Sequence, residues 1–177
     1  VVLLTSTALA QEKPADPAAV QKVIADMFKG ASPEWKKRIE QDETQKLCSQ
    51  YRNQPPAAVA EAIMKREAAT VVYPSDGSVL GNWKAGEALA QRGTGGQFTD
   101  NDKTPIGGNC YACHQLDKKE LSFGTLAPSL TEYGKIRKFK PDEAKAAYAK
   151  IYNAQAMQAC SNMPRFGHNK FLSEQNI

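Results

Sequence analysis

Apolar positions fall at helical spacing along most of the chain, and no segment is rich in strand signals. Start signals such as Ser32-Pro33, and stop signals such as Gly30 and Gly93, divide this pattern into separate helices. The predicted helices run over about 16–29, 32–51, 55–69, 83–92 and 141–153. Glycine- and proline-rich loops connect the last two helices. The pattern therefore predicts an all-α protein.

The first ten residues form an uncharged apolar run that ends in Ala8-Leu9-Ala10. A polar segment that begins at Gln11 and contains two prolines follows at once. An apolar run that ends in an A-x-A pattern is typical of a secretory signal peptide, and ten residues are too few to span a bilayer as a helix. We therefore expect residues 1–10 to be the remnant of a signal peptide and the mature protein to be exported. A core strand or helix is the alternative.

Charge and hydropathy exclude some classes of protein. Lysine and arginine number 23 against 19 aspartate and glutamate residues, which gives a net charge of +4. This excess is too small to indicate nucleic-acid binding, and two short basic runs at 36–38 and 135–140 are typical of solvated faces. The mean hydropathy of −0.53 excludes a protein that lies mainly in the membrane. We therefore predict neither a nucleic-acid partner nor a membrane span.

The sequence Cys110-Tyr-Ala-Cys113-His114 carries the clearest chemical signal in the chain. Two thiols at this spacing can add to the two vinyl groups of a haem, and the histidine that follows can bind the iron. A thioredoxin-like redox pair would need a preceding strand, whereas residues 104–109 are rich in turn formers. A zinc site would need the two remaining cysteines as its further ligands. We favour one covalently bound haem c, anchored by Cys110 and Cys113, with His114 as the proximal ligand.

A haem of this kind also predicts a sixth iron ligand further along the chain. The candidates are Met27, Met64, Met157, Met163 and His168. The first three lie in or near amphipathic helical stretches, where methionine usually packs. Met163 precedes Pro164, which disfavours helix, and a loop of this kind can place a thioether over an iron. We predict Met163 as the ligand, with His168 and an open iron position as the alternatives.

Two cysteines lie outside the attachment motif, Cys48 and Cys160. Leftover cysteines in an oxidising compartment tend to pair, so we predict a disulfide between them, with a contribution of order 4 kcal/mol in the chain-entropy picture. A free reactive thiol near the haem and a buried inert thiol are the alternatives. Features related to haem occur only beyond Gly77. We therefore expect a helical N-terminal extension over 11–74 and a haem-binding domain over 75–177.

Several segments of the second half resemble one known family. They are GGNCYACH at 107–114, GTLAPSL at 124–130, YG at 133–134, IYNAQAM at 151–157 and CSNMPRFGHN at 160–169. Together they are similar to the SoxX family, the small monohaem subunits of the SoxAX cytochromes of bacterial thiosulfate oxidation. The resemblance covers roughly residues 78–175. The haem motif alone is generic, whereas the segment around Met163 is much more specific.

The resemblance implies a class I cytochrome c fold with the iron bound by His114 and Met163. It also implies that the carbonyl oxygen of Pro128 accepts the second imidazole N–H of His114, which would fix the tautomer of the ring. A plain loop proline is the alternative at Pro128. Class I cytochromes end in a long helix, which residues 173–175 would begin, so we expect the chain to stop within that helix.

The resemblance further implies a function in the periplasm. The chain would be the electron-accepting subunit of a heterodimeric L-cysteine S-thiosulfotransferase. Its haem-bearing partner SoxA would join thiosulfate to a cysteine of the carrier SoxYZ, and electrons would leave through this chain to a small soluble cytochrome c. No catalytic residue for the sulfur chemistry is expected here. A stand-alone periplasmic monohaem carrier is the first alternative, and a haem-free structural protein with disulfides or zinc is the second.

Overall fold

The computed structural model describes residues 16–97, 99–101, 103–138 and 140–177. Its α-helices are α1 (Pro17–Met27), α2 (Pro33–Ile39), α3 (Glu43–Gln50), α4 (Ala57–Ala68), α5 (Trp83–Ala90), α6 (Tyr133–Ile136) and α7 (Pro141–Tyr152). Three short 3₁₀ helices span Cys110–Ala112, Ala154–Ala156 and Glu174–Asn176. These residues contain no β-strand, so the predicted all-α class is confirmed for them. Within the same residues, no helix is both long enough and apolar enough to cross a bilayer. The expected signal remnant lies outside the described residues.

Local capping explains where the predicted helices begin. The side chains of Asp16, Ser32 and Asn82 accept hydrogen bonds from the first free backbone N–H groups of α1, α2 and α5. Proline occupies the first position of α1, α2 and α7, where its missing N–H costs no hydrogen bond. These starts are confirmed, and the motif at Cys110 opens a helical turn as predicted.

The single helix predicted over 32–51 is wrong, because the structure has two helices there. Glu40 ends α2, and Asp42 begins α3 with a capping box. The Asp42 carboxylate accepts from the backbone N–H of Gln45 at 2.8 Å, and the Gln45 side chain accepts from the backbone N–H of Asp42 at 2.9 Å. These two hydrogen bonds satisfy the backbone N–H groups of Asp42 and Gln45, which in a continuous helix would donate to carbonyl groups of the preceding turn. The four-residue α6 was also not predicted.

The chain divides into two compact units after Glu40. In the first unit, the described residues form α1 and α2; the second unit runs from Gln41 to Ile177. This division differs from the boundary predicted near residue 74. Helices α3 and α4 belong to the second unit because Cys48 is bonded to Cys160, and because Glu67 forms an ion pair with Arg165.

The core of the second unit lies where α4 and α7 meet the 3₁₀ helix at Ala154–Ala156. The Cys48–Cys160 disulfide packs there with Ile63, which is fully buried. Leu47, Val59 and Ala159 surround this cluster. The core thus holds the start of the segment that continues from Cys160 to Met163.

Candidate haem-attachment site

The attachment motif forms a single 3₁₀ turn over Cys110–Ala112. The carbonyl oxygen of Cys110 accepts hydrogen bonds from the backbone N–H groups of Cys113 at 3.1 Å and of His114 at 2.9 Å. Both thiols are free and half-buried. Burial, and then the neighbouring Cys113, raise the pKa of the Cys110 thiol, so Cys110 keeps its proton at neutral pH. Two free thiols and an imidazole therefore lie within five consecutive residues.

The loop that follows the motif runs back along it. The N–H of Gly124 donates to the Tyr111 carbonyl at 2.7 Å, and the N–H of Ala127 donates to the Cys113 carbonyl at 3.0 Å. These bonds place the carbonyl oxygen of Pro128 2.7 Å from Nδ1 of His114. The structure thus brings together Cys110, Cys113, His114 and Pro128.

The contact with Pro128 fixes which nitrogen of His114 carries the proton. A backbone carbonyl can only accept a hydrogen bond, so Nδ1 must be the donor. In a neutral ring, Nε2 then keeps its lone pair. A histidine that donates Nδ1–H to a carbonyl is in the form that binds a metal through Nε2.

The surroundings of the motif fit a large apolar group. Leu121 and Leu126, on the returning loop, are 103% and 86% exposed, and Phe123 and Ile106 are also exposed. These exposed apolar side chains lie close to the motif in sequence, where a large apolar ligand could cover them. The residues present therefore fit a haem in three respects: two thiols, one imidazole of the required tautomer, and exposed apolar side chains close to the motif in sequence.

The two other interpretations of the motif fit less well. A zinc site would need Cys48 and Cys160, but these two residues are bonded to each other. No cluster of three or more His, Cys, Asp or Glu side chains within the described residues could hold a metal ion by itself. A thioredoxin-like pair needs a βαβ pattern, whereas the helices of the described residues are joined by loops without strands.

Replacing Gly124 by alanine should lower the free energy of unfolding by about 1–3 kcal/mol or more. A Cβ at this position would lie 1.8 Å from the carbonyl oxygen of Ala112, so the returning loop would have to move away from the motif. The matched control is Gly86→Ala in α5, where a Cβ meets nothing within 4 Å and alanine should stabilise the helix by up to about 1 kcal/mol. Urea unfolding of both variants measures the difference. Equal stabilities would contradict the close packing of Gly124 on the motif.

Met163 belongs to a different segment of the second unit and is half-buried. Its N–H donates to the Ser161 hydroxyl at 3.3 Å. Further along this segment, the Phe171 ring packs on Phe166 and lies against Gly96, which belongs to the loop that precedes the motif. The pairing of Met163 with His114 at one iron stays a prediction.

The alternative ligand, His168, has both ring nitrogens engaged. Nε2 lies 3.4 Å from Nη1 of Arg165, and a guanidinium can only donate, so Nε2 is the acceptor. Nδ1 then carries the proton and donates to the Thr70 hydroxyl at 3.2 Å. In this arrangement His168 offers no lone pair to an iron. Of the other candidates, Met27 and Met157 are exposed, which differs from the packing role expected for them.

The sequence did not predict a buried polar cluster that includes Arg165, two residues after Met163. At its centre Glu67, on α4, is 4% exposed. One carboxylate oxygen accepts from the Thr44 hydroxyl, and the other accepts from the Asn153 amide at 2.7 Å and from Nη1 of Arg165 at 3.3 Å. The second arm of Arg165, Nη2, donates to the Asp42 carboxylate at 2.5 Å. We call Asp42, Glu67, Asn153 and Arg165 the Arg165 cluster.

The chain shows limited similarity to known proteins. No protein-family model matches it. It is 37% identical over 143 residues to a protein of Aquifex aeolicus (strain VF5) described as an uncharacterized lipoprotein. The match covers 77% of this chain and 66% of that protein, so the chain spans just under two thirds of the relative's length.

Proposed function

We propose that this chain is a monohaem c-type cytochrome that transfers electrons in the periplasm. The observation that carries the proposal is the 2.7 Å contact between His114 Nδ1 and the Pro128 carbonyl. It leaves Nε2 of His114 ready to bind iron, one residue after the second of two free thiols.

Each residue of the site has a defined part in this function. Cys110 and Cys113 would hold the haem covalently, and His114 and Met163 would bind its iron. The haem would supply a one-electron couple between ferric and ferrous iron. Pro128 orients the imidazole and makes its ligating nitrogen more basic. Two protein ligands leave no open position on the iron for a substrate, which favours electron transfer over catalysis at this site.

The class I cytochrome c fold is part of the same proposal. Helix α5 would be the N-terminal helix of that fold. Its end is tied to the motif, since the Leu89 carbonyl accepts from Gly108 N–H at 2.9 Å and the Arg92 carbonyl accepts from Asn109 N–H at 3.0 Å. Such a connection from the first helix to the attachment site is what the proposed fold requires.

We further propose that the chain is the electron-accepting subunit of a SoxAX-type L-cysteine S-thiosulfotransferase. The resemblance of residues 160–169 to the SoxX family supports this step. Purification from the native periplasm without denaturant tests it, by counting the polypeptides and covalent haems that elute together. A larger haem-bearing chain in equal amount is the expected result. A single red polypeptide would instead favour the stand-alone carrier and contradict the subunit proposal.

Replacing Met163 by leucine should leave the covalent haem in place but remove the Met–iron charge-transfer absorption and lower the reduction potential. A thioether stabilises ferrous iron, and leucine cannot bind iron at all. Met157→Leu is the matched control, because Met157 is a second, exposed methionine nearby in sequence. Optical spectra and redox titration measure both effects. Unchanged charge-transfer absorption in Met163→Leu would show that Met163 is not the ligand.

A further inference from the structure

Residues 161–164, which include Met163, lie between two fixed points. On one side, Cys160 is bonded to Cys48, and its N–H donates to the Gln155 side chain at 2.6 Å. On the other side, the Arg165 side chain is 7% exposed and is held by Glu67 and Asp42. The segment is thus tied on one side to α3, and on the other side to α4 and to Asp42, the N-cap of α3.

The second fixed point depends on charge. Buried arginine is unfavourable unless its charge and its donors are matched, and the planar guanidinium here reaches two carboxylates, one with each arm. Glu67 is in turn held by Thr44 and by Asn153, which lies just before the 3₁₀ helix at Ala154–Ala156. Removing either carboxylate charge would weaken the interactions that hold the guanidinium in place. Met163 and Pro164 directly precede Arg165 in the chain, so their backbone would be held less firmly as well.

We propose that Glu67 and Asp42 are positioning residues for the sixth iron ligand, because they hold Arg165 and thereby the backbone that carries Met163. This inference rests on the proposed function, in which the Met163 thioether binds the iron. It gives residues 41–72 a role that the sequence did not suggest, since they would support the distal side of the haem site. Neither carboxylate is proposed to touch the haem.

Competition by imidazole, added to the purified ferric haem protein, tests the proposal. Imidazole replaces a methionine ligand only when the methionine leaves the iron, so its apparent affinity measures how firmly Met163 is held. We expect Glu67→Gln to bind imidazole about tenfold more tightly than the wild type. The variant loses the charge-assisted hydrogen bond that holds Arg165, so Met163 leaves the iron more often and imidazole can take its place. Far-UV circular dichroism at the same temperature checks that the helices remain folded.

Two further variants complete the test. Asp42→Asn removes the second carboxylate charge but keeps a good N-cap for α3, and Asp42 is 41% exposed, so this variant should fold even if Glu67→Gln does not. Glu143→Gln is the matched control, because it removes an ion pair with Arg137 on the surface. We expect Asp42→Asn to bind imidazole more tightly than the wild type, and Glu143→Gln to match the wild type.

The possible results separate the inference from the proposed function. If the wild type shows Met–iron absorption and the folded Glu67→Gln and Asp42→Asn variants bind imidazole as weakly as it does, the positioning role is overturned and the cytochrome stands. If the wild type takes up no covalent haem, the proposed function fails and the inference fails with it. Tighter imidazole binding in the cluster variants alone supports the positioning role.

Discussion

Replacing Arg165 by methionine should lower the free energy of unfolding by about 3–5 kcal/mol at neutral pH. The substitution keeps much of the side-chain volume but removes the guanidinium that donates to the Glu67 carboxylate, whose side chain is 5% exposed, and leaves it with the longer ion pair to Arg66 at 3.8 Å. Breaking a buried ion pair by removing one partner is among the most destabilising changes that a single substitution can make. Urea unfolding of the full chain measures the effect.

The matched control for this variant is Arg137→Met. Arg137 pairs with Glu143 at 3.4 Å, but its side chain is 50% exposed, and pairs of this kind contribute less than about 1 kcal/mol. We therefore expect Arg137→Met to unfold close to the wild type. An Arg165→Met variant that is as stable as Arg137→Met would show that the Arg165 cluster does not stabilise the fold.

The effect of Arg165→Met should also depend on pH. Burial alone raises the pKa of Glu67, but hydrogen bonds from Thr44 and Asn153 and the charge of Arg165 outweigh it, so the pKa lies below its usual value. In the wild type, the stability that comes from the ionised Glu67 carboxylate is therefore present at pH values above the unfolded pKa of Glu67. It is lost as the pH falls through the folded pKa of Glu67. Without Arg165, one cause that lowers the pKa of Glu67 is lost, so this pKa is higher in the variant than in the wild type. The stability difference should thus shrink as the pH falls from the folded pKa of Glu67 in the variant to its lower folded pKa in the wild type, mainly below about pH 5. A constant difference would contradict this electrostatic origin.

Removing the disulfide with the double substitution Cys48→Ala and Cys160→Ala should cost about 4–5 kcal/mol. The two residues are 112 positions apart in sequence, so the bond closes a long loop in the unfolded chain and lowers its entropy. Both side chains are also buried beside Ile63, where alanine would leave space. Urea unfolding without reductant measures the loss.

The single variant Cys48→Ala serves as the control for the disulfide. It breaks the same bond but keeps the Cys160 side chain in the core, so it should lose nearly as much stability as the double variant. If the double variant were within about 1 kcal/mol of the wild type, the bond would not constrain the unfolded chain as proposed. If the single variant alone were stable, packing rather than the bond would explain the loss.

The sequence predicted those features of the fold that depend on neighbouring residues. Helix starts at Ser32-Pro33 and Pro141 follow from caps and proline positions within one turn, and the structure confirms them. The break between α2 and α3 depends on Asp42 and Gln45, a local signal that was outweighed by the apolar pattern on either side. Competing local signals of this kind explain the error over 32–51.

The two halves of the candidate site differ in how far the sequence could predict them. Cys110, Cys113 and His114 form a contiguous motif, and the resemblance supplied Pro128. The Arg165 cluster joins residues that are up to 123 positions apart, and no spacing pattern connects them. Single charged residues such as Glu67 usually lie on a solvated helix face, so only the packing of α4 shows that this one is buried.

The central claim is that this chain carries one covalent haem on Cys110 and Cys113. Intact-mass measurement of the chain, produced in a periplasm that contains the haem-attachment machinery, tests it most directly. The proposal predicts a mass higher by one haem under denaturing conditions and no such gain for the double substitution Cys110→Ala and Cys113→Ala. A wild-type chain at its unmodified mass, with no haem absorption, would contradict it.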